Sequence, residues 1–453
     1  MEQQNTHSIQ TPSLKRTLTL WQVVVLGLGY LTPMTVFDTY GIVTEETGGH
    51  VPTAYLVALA AILFTAASYG KMVKAFPVAG SAYSYTRKTI NPHIGFLVGW
   101  VSLLDYIFLP MINVLLADIY LSAAFPGVPS WVWVVGVTLL MTAVNIWGVN
   151  STANLNTLLV IFQVLVTAIF VALAIKGIIG GMGSGELFTV TPFFTPDLTV
   201  PTIMAGAATL CFSFLGFDAV TTYTEEAVEP TKTIPRGIFL VALIGGAIFI
   251  TASYFATSLF PDTSKFNDPT AASPEIAYYL GGTLFQSVFL AGAITGTLAS
   301  GLASHTSASR LLYAMGRENV LPKKIFGSVS ERFRTPVTNI VLIGVFSLSA
   351  ISFELDTAIS FINFGALTAF TAVNACVIAH FIVRQKMRSV KALVSYLLFP
   401  LIGASFIIYL WTNLDLSSLI LGIVWALCGL GYLLYTTKCF SEKPPVIDFE
   451  EAI

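Results

Sequence analysis

The chain has 453 residues, of which 55% are hydrophobic and only 10% are charged, and its formal net charge is −2. A typical soluble domain carries about 25% charged residues, so these few charges cannot cover a water-soluble protein of this length. Together with a mean hydropathy of +0.79, the composition predicts a protein solvated mainly by the lipid bilayer. The small net charge gives no reason to expect a nucleic-acid partner.

Apolar stretches long enough to cross a membrane recur along almost the whole chain. A membrane-spanning helix needs about 20 such residues, and the sequence predicts about twelve of them in an all-α integral membrane fold. They cover 19–42, 52–74, 94–123, 130–149, 155–176, 201–223, 237–260, 281–313, 336–353, 357–383, 392–412 and 416–437.

The basic residues predict how these helices are oriented. With the N-terminus inside, 20 of the 22 Lys and Arg residues fall on the inner side, and only Lys176 and Lys265 lie outside. Cytoplasmic loops of membrane proteins carry an excess of Lys and Arg. We therefore expect a cytoplasmic tail at 1–18, a twelve-helix domain at 19–437 and a second cytoplasmic tail at 438–453.

Two predicted helices contain helix-breaking residues at matching positions. The first contains Gly27, Gly29 and Pro33, and the sixth contains Gly216. If residues 19–176 and 201–383 form inverted halves, these are the first helix of each half, and broken helices at such positions mark transport sites. The alternative is that Gly and Pro are simply common in membrane helices, but the matching positions favour a transport site.

Four acidic residues, Asp38, Asp105, Asp118 and Asp218, lie inside apolar runs with no Lys or Arg predicted at the same depth. A carboxylate at the bilayer centre costs at least about 2.5–3.5 kcal/mol, so it needs a partner or water. A transported cation or a proton would be such a partner. The imbalance therefore predicts a transporter of a positively charged solute.

The positions of the four acids predict different roles. Asp218 follows the break at Gly216, and Asp105 lies near the middle of the third helix, so both are candidates for substrate binding and ion coupling. Asp38 lies beyond the first break, where a role in substrate entry competes with an ordinary helix-end position. Asp118 lies about 220° around the helix from Asp105 and is expected to be a solvated end residue.

Aromatic and hydroxyl side chains near the breaks complete the predicted site. Aromatic rings can bind an ammonium group, although most of the 57 aromatic residues must face lipid or the core. The candidate substrate-binding residues are Tyr30, Thr32, Thr35, Tyr106, Phe212, Ser213, Phe214, Gly216 and Phe217, with Tyr223, Ser300 and Ser304 as weaker candidates.

Motifs for other chemistry are missing from the sequence. There is no GxxxxGK[ST] motif for ATP, no HExxH motif and no strand-helix context that would make the GLG at 27–29 a dinucleotide-binding turn. No histidine has a metal-binding partner at helical spacing, and His50, His93, His305 and His380 are expected in loops or at helix ends. We expect no cofactor or metal, and a membrane enzyme or sensor is only a remote alternative.

Several segments resemble the amino acid–polyamine–organocation transporters. They are residues 68–100, FSFLGFD at 212–218, EEAVEPTKTIPRGI at 225–238 and residues 307–329. A narrower resemblance to bacterial putrescine importers is found in PMTVFDTYGIV at 33–43, HVPTAYLVAL at 50–59 and VSLLDYIFLPMIN at 101–113.

The resemblance implies a five-plus-five inverted repeat of the LeuT type, with two extra C-terminal helices and transport by alternating access. It further implies import of putrescine or a related diamine across a bacterial inner membrane, with protons as the possible coupling ion. Some proton-coupled members have a Lys in the fifth helix, which this chain lacks before Lys176. Coupling is therefore expected to use a carboxylate, or the membrane potential alone drives uptake. The alternative is a permease for a cationic or neutral amino acid, which would bind the α-carboxylate at the first break.

Overall fold

The computed structural model describes residues 18–77, 82–147, 153–225, 227–261, 266, 268–317, 321–330, 332–333 and 335–444. Nearly all of the predicted N-terminal tail and the last nine residues of the C-terminal tail lie outside this set. The regular structure in these ranges is helical, apart from one isolated bridge between Leu18 and Ala227. The all-α fold class is thus confirmed.

Sixteen α-helices make up most of the described chain. They are α1 (Leu20–Leu31), α2 (Tyr40–Thr47), α3 (Val51–Ala75), α4 (Ala82–Thr89), α5 (Pro92–Ala124), α6 (Ser130–Trp147), α7 (Ala153–Ile179), α8 (Val200–Leu210), α9 (Pro230–Leu259), α10 (Ala272–Arg317), α11 (Lys323–Phe326), α12 (Val337–Ser347), α13 (Leu355–Val377), α14 (Val390–Leu393), α15 (Phe399–Trp411) and α16 (Leu416–Thr436).

Each of the twelve predicted spans coincides with a helical segment. Within the described residues, eleven segments are long and apolar enough to cross a membrane, and the segment Val337–Ser352 is shorter. The count of twelve therefore stays a prediction. The eighth span does not begin at Gly281 as predicted, because α10 starts at Ala272 and is kinked at Gly281 and Gly282, where the φ of Gly282 is +62°.

The first span is broken, but the break does not fall at its glycines. Gly27 and Gly29 both lie inside α1, which ends at Leu31, and the chain continues through a 3₁₀ turn (Thr35–Phe37) before α2. Thr32 has a φ of +53° and precedes Pro33, and a residue before proline is disfavoured in a helix. Gly27 instead allows close packing, since an added Cβ would lie 2.6 Å from the Val241 side chain on α9.

The sixth span is broken around Gly216. After α8 the chain forms a 3₁₀ segment (Cys211–Phe214) and then a second one (Ala219–Glu225). Between them Gly216 has a φ of +98°, which is accessible to glycine and strained for other residues. A Cβ at Gly216 would lie 2.3 Å from the Tyr30 ring. The two broken helices therefore meet where Tyr30 packs directly on Gly216.

Candidate functional site

Asp218 is held at the end of the sixth-span break by a tyrosine from α3. The Tyr69 hydroxyl donates a hydrogen bond to Asp218 Oδ2 at 3.1 Å, and the backbone amides of Asp218, Ala219 and Gly216 favour the negative charge of the carboxylate. The Tyr69 ring packs edge-on against Phe217, with 5.8 Å between the ring centroids. These contacts fix the orientation of the Asp218 carboxylate.

Asp105 interacts electrostatically with Asp218, and one of its carboxylate oxygens has no hydrogen-bond partner among the described residues. It is on α5 where Gly365 of α13 packs closely, since a Cβ on Gly365 would lie 3.2 Å from the Asp105 backbone nitrogen. Asp105 Oδ1 is buried and has no hydrogen-bond partner among the described residues. The Asp105 carboxylate interacts electrostatically with Asp218, and both act on Tyr30. Two carboxyl groups are thus gathered near the point where the broken helices meet.

Tyr106 belongs to the same group of side chains. Electrostatic interactions connect its phenol to Asp105 and Asp218, and the Tyr30 phenol interacts with Tyr106 and Tyr223 as well. We call Asp105, Asp218, Tyr30 and Tyr106 the acidic centre. All four are residues that the sequence predicted for the site.

Asp38 occupies the other side of the first-span break. It follows the 3₁₀ turn, is only 8% exposed and accepts a hydrogen bond from the hydroxyl of Tyr120 on α5. The acid at each break is therefore held by a buried tyrosine from a neighbouring helix, Tyr120 for Asp38 and Tyr69 for Asp218. Neither tyrosine was predicted, because each is far from its aspartate in sequence.

A small cavity of about 30 Å³ lies against the first-span break. The predicted residues that line it are Tyr30, Thr32, Thr35, Asp38, Phe212 and Ser300. Its volume matches about one water molecule, so this conformation has no room for an organic solute. Tyr30 lines the cavity and also belongs to the acidic centre, so it is shared by the two regions.

Polar residues that the sequence argument missed also line this cavity. Gln163 on α7 is 2% exposed, and its Oε1 has no partner within the described chain. Asn113 on α5 donates to the Leu109 carbonyl at 2.9 Å and to Ser300 Oγ at 3.2 Å. The sequence did contain a signal for both residues, since each is an uncharged amide in the middle of an apolar helix. Buried polar groups at membrane depth are costly and commonly functional.

Three predicted residues in the sixth-span break face the protein core instead of the cavity. Ser213 hydrogen-bonds to the Tyr55 hydroxyl at 2.9 Å, Phe214 packs against Phe249 with 5.5 Å between ring centroids, and Phe217 packs against Phe370 at 5.1 Å. A 3₁₀ segment has three residues per turn, so positions i and i+3 share one face. Phe212 and Leu215 have this spacing, and both line the cavity.

Other sequence predictions also need correction. Asp118 is not solvated: it is 8% exposed and accepts hydrogen bonds from Ser122 at 2.9 Å and Ser130 at 2.6 Å, which connect α5 to the start of α6. His305 is fully buried inside α10, where its ring contacts the Ile340 carbonyl at 2.8 Å. Ser304 is bonded to the Gly301 carbonyl of its own helix.

The acids at the breaks form no ion pair with a basic residue in the part of the chain that the structure describes. The ion pairs found there join Lys232 to Glu229 at 3.3 Å and Lys438 to Glu442 at 2.5 Å, and both are at the surface. Lys71 lies within α3, where its ammonium group donates to the Ser395 carbonyl at 2.5 Å. The site therefore combines carboxylates without any nearby described cation.

Comparison with known proteins identifies the family. The model of the family described as amino acid permease matches residues 22–434. The chain belongs to the amino acid permease family. This permease is 50% identical over 433 residues to the low-affinity putrescine importer PlaP of Escherichia coli K12, covering 95% of this chain and 96% of that protein. It is 28% identical to the methylthioribose transporter of Bacillus subtilis, with 95% of each chain covered.

Among solved structures, the permease is similar to MhsT in complex with L-phenylalanine. The TM-score is 0.63 at 15% identity, and the match covers 88% of this chain and 100% of MhsT. At that identity the likeness concerns the fold, which is the LeuT-type fold predicted from the sequence. The resemblance to amino acid–polyamine–organocation transporters and to bacterial putrescine importers is also confirmed. The permease is a multi-pass membrane transport protein and not an enzyme.

Proposed function

We propose that this permease is a secondary active importer of putrescine, working by alternating access in a bacterial inner membrane with both termini in the cytoplasm. The observation that carries the proposal is a set of three carboxylates, Asp38, Asp105 and Asp218, none of which pairs with a described Lys or Arg. A diamine would supply the missing positive charges. The identity to PlaP supports putrescine as the diamine.

The two ammonium groups of putrescine would bind on opposite sides of Tyr30. One would bind Asp218 and Asp105, where Asp105 Oδ1 is a buried acceptor without a described partner. The other would bind Asp38, with the unpartnered Oε1 of Gln163 as a second acceptor. Charge-assisted hydrogen bonds of this kind are about twice as strong as neutral ones.

Substrate binding in this arrangement requires the site to open. The cavity beside Asp38 is about 30 Å³, and Tyr30 lines it while also interacting with both carboxylates of the acidic centre. The interrupted backbone at Thr32 and Gly216, each with positive φ, divides the two spans into short helices that can move separately. In transporters of this type, such half-helices close and open the site from alternate sides.

The membrane potential can drive this uptake. Moving one charge through 100 mV is worth about 2.3 kcal/mol, so a dication gains about 4.6 kcal/mol. That energy supports accumulation on the order of a thousandfold. Proton symport would add to it, and Asp218 and Asp105 are our candidates for carrying the proton.

The alternative substrate is an amino acid, whose α-carboxylate would need free backbone amides at the first break. The amides of Thr35, Phe37 and Asp38 already donate to backbone carbonyls of the 3₁₀ turn, at 3.0, 2.9 and 3.0 Å. This use of the amides favours a diamine over an amino acid.

Uptake by proteoliposomes containing the purified full-length protein tests the proposal. Labelled putrescine should accumulate under an inside-negative potential, and excess unlabelled putrescine should compete better than lysine, ornithine or neutral amino acids. Accumulation of an amino acid without accumulation of putrescine would refute the diamine assignment. Alkalinisation of the external medium during uptake would support proton symport, and a constant external pH would contradict it.

A further inference from the structure

A second concave site lies at the predicted cytoplasmic end of the helix pair α3 and α9. It is a groove of about 590 Å³ with four basic residues in its lining, Lys71, Lys74, Lys232 and Arg236. The described part of the chain places no acidic residue in this lining. The groove shares no lining residue with the acidic centre, and the proposed transport cycle does not use it.

The two helices present matching stripes to this groove. On α3 the lining residues recur at Ala66, Gly70 and Lys74, and on α9 they recur at Lys232, Arg236 and Leu240. Residues four apart lie on the same face of a helix. On each side of the groove, a stripe of residues therefore runs from apolar residues at membrane depth to basic residues at the helix end.

Three of the four basic residues are available to a ligand. Lys74 and Arg236 are exposed, and neither has a hydrogen-bond or ion-pair partner within the described residues. Lys232 has only a surface ion pair with Glu229, in which both side chains are about 60% exposed. Lys71 is held in place over the rings of Tyr396 and Phe399.

The deeper part of the groove is suited to a hydrocarbon chain. Its lining there is Ala66, Ala67, Phe239 and Leu240, and the Phe239 side chain is 42% exposed. With a rise of 1.5 Å per residue, Ala66 lies about 12 Å deeper along α3 than Lys74. The groove thus offers cations at the level of lipid headgroups and an apolar surface at the level of acyl chains.

We propose that this groove binds an anionic phospholipid of the adjacent leaflet, with the phosphate among the four basic residues and an acyl chain along the alanines and Phe239. Clustered Lys and Arg between membrane helices on the cytoplasmic side recognise anionic headgroups. A soluble phosphate compound would use the same cations but would leave the apolar part of the groove uncovered.

Native mass spectrometry of the delipidated full-length protein tests this site. Palmitoyl-oleoyl phosphatidylglycerol and palmitoyl-oleoyl phosphatidylcholine are added at equal concentration, and the ratio of bound lipids is measured. We expect at least a tenfold preference for phosphatidylglycerol. The triple variant Lys74→Gln, Lys232→Gln, Arg236→Gln should weaken its binding about fivefold per cation, or about a hundredfold in total.

The matched control removes three basic residues elsewhere on the same predicted side, Lys323→Gln, Lys324→Gln and Arg388→Gln, and should retain the preference. Equal losses in both triple variants would overturn the proposal in favour of diffuse surface charge, as would retention of the preference in the groove variant. Ala67→Trp keeps every cation but fills the apolar part, and unchanged lipid binding in that variant would also overturn it. Displacement of the lipid by equimolar glycerol 1-phosphate would show that the groove binds a soluble phosphate compound, which would overturn the assignment to a phospholipid.

Discussion

Replacing Gly216 by alanine perturbs the contact between the two broken helices. Gly216 has a φ of +98°, and a Cβ there would lie 2.3 Å from Tyr30 Cδ1 and 3.0 Å from Tyr30 Cγ. Real Cβ atoms do not approach other atoms this closely, so either the Tyr30 ring or the break must move. The change therefore affects a residue that both lines the cavity and belongs to the acidic centre.

The expected loss of folding stability in Gly216→Ala has two contributions. A non-glycine residue at positive φ costs about 1–2 kcal/mol, and forcing extra volume into a packed site costs about 1–3 kcal/mol more. Gly216→Ala should therefore lower the free energy of unfolding by about 2–5 kcal/mol. Because Tyr30 must shift, putrescine uptake should also fall by more than tenfold.

Gly48→Ala is the matched control for this experiment. Gly48 also has positive φ, +61°, at the C-terminal end of α2, but nothing lies within 4 Å of a Cβ built there. Gly48→Ala should lower the free energy of unfolding only by the cost of a non-glycine residue at positive φ, about 1–2 kcal/mol. It should leave uptake by the folded protein unchanged. Thermal unfolding in detergent and initial uptake rates in proteoliposomes measure both effects. Equal behaviour of the two variants in both assays would refute the packing of Tyr30 on Gly216.

The other predictions concern the second acid, the missed amide and the driving force. Tyr120→Phe removes the hydrogen bond to Asp38, and since a bond to a charged group is worth about 1.5–3 kcal/mol, the KM for putrescine should rise about tenfold or more. Gln163→Leu should weaken putrescine binding severalfold without loss of thermal stability, because its buried Oε1 has no described partner to lose. Collapsing a 100 mV potential with valinomycin and potassium should reduce putrescine accumulation on the order of a thousandfold, as read from the steady-state internal label.

Each of these results has a control. Tyr40→Phe removes a buried hydroxyl contact with Thr257, 3.2 Å long, and no hydrogen bond to an acid, so it should leave KM unchanged. A KM shift equal to that of Tyr120→Phe would argue against a specific role for Tyr120. Gln163→Glu keeps an acceptor oxygen and should bind putrescine at least as well as Gln163→Leu, and the reverse order would contradict the assignment. Accumulation that is insensitive to valinomycin would contradict movement of net positive charge.

The sequence predicted the fold well because membrane helices depend on local properties. Length, apolar content and the positions of Lys and Arg can each be evaluated in a window of about 20 residues, and every predicted span coincides with a helical segment. The exact helix ends were less predictable. Gly27 and Gly29 were assigned to a break, yet both are helical, because the break is determined by Pro33 and the positive φ of Thr32.

The candidate site was only partly predictable because its contacts join distant parts of the chain. Asp38, Asp105 and Asp218 could be found individually, since a carboxylate in an apolar run is conspicuous. Their partners Tyr120 and Tyr69 could not, because hydrogen bonds over 82 and 149 residues of sequence depend on helix packing. Asp118 is also a carboxylate in an apolar run, but it accepts hydrogen bonds from Ser122 and Ser130 and therefore has a structural role.

The most direct test of the central claim is equilibrium binding of labelled putrescine to purified protein carrying Asp218→Asn, compared with Asp118→Asn. Both substitutions replace an acid inside a membrane-spanning segment by its isosteric amide, but only Asp218 is in the acidic centre. We expect Asp218→Asn to weaken putrescine binding at least a hundredfold while Asp118→Asn binds as the unsubstituted protein does. Unchanged binding in Asp218→Asn, with the protein folded, would contradict the claim that this acid holds a cationic substrate.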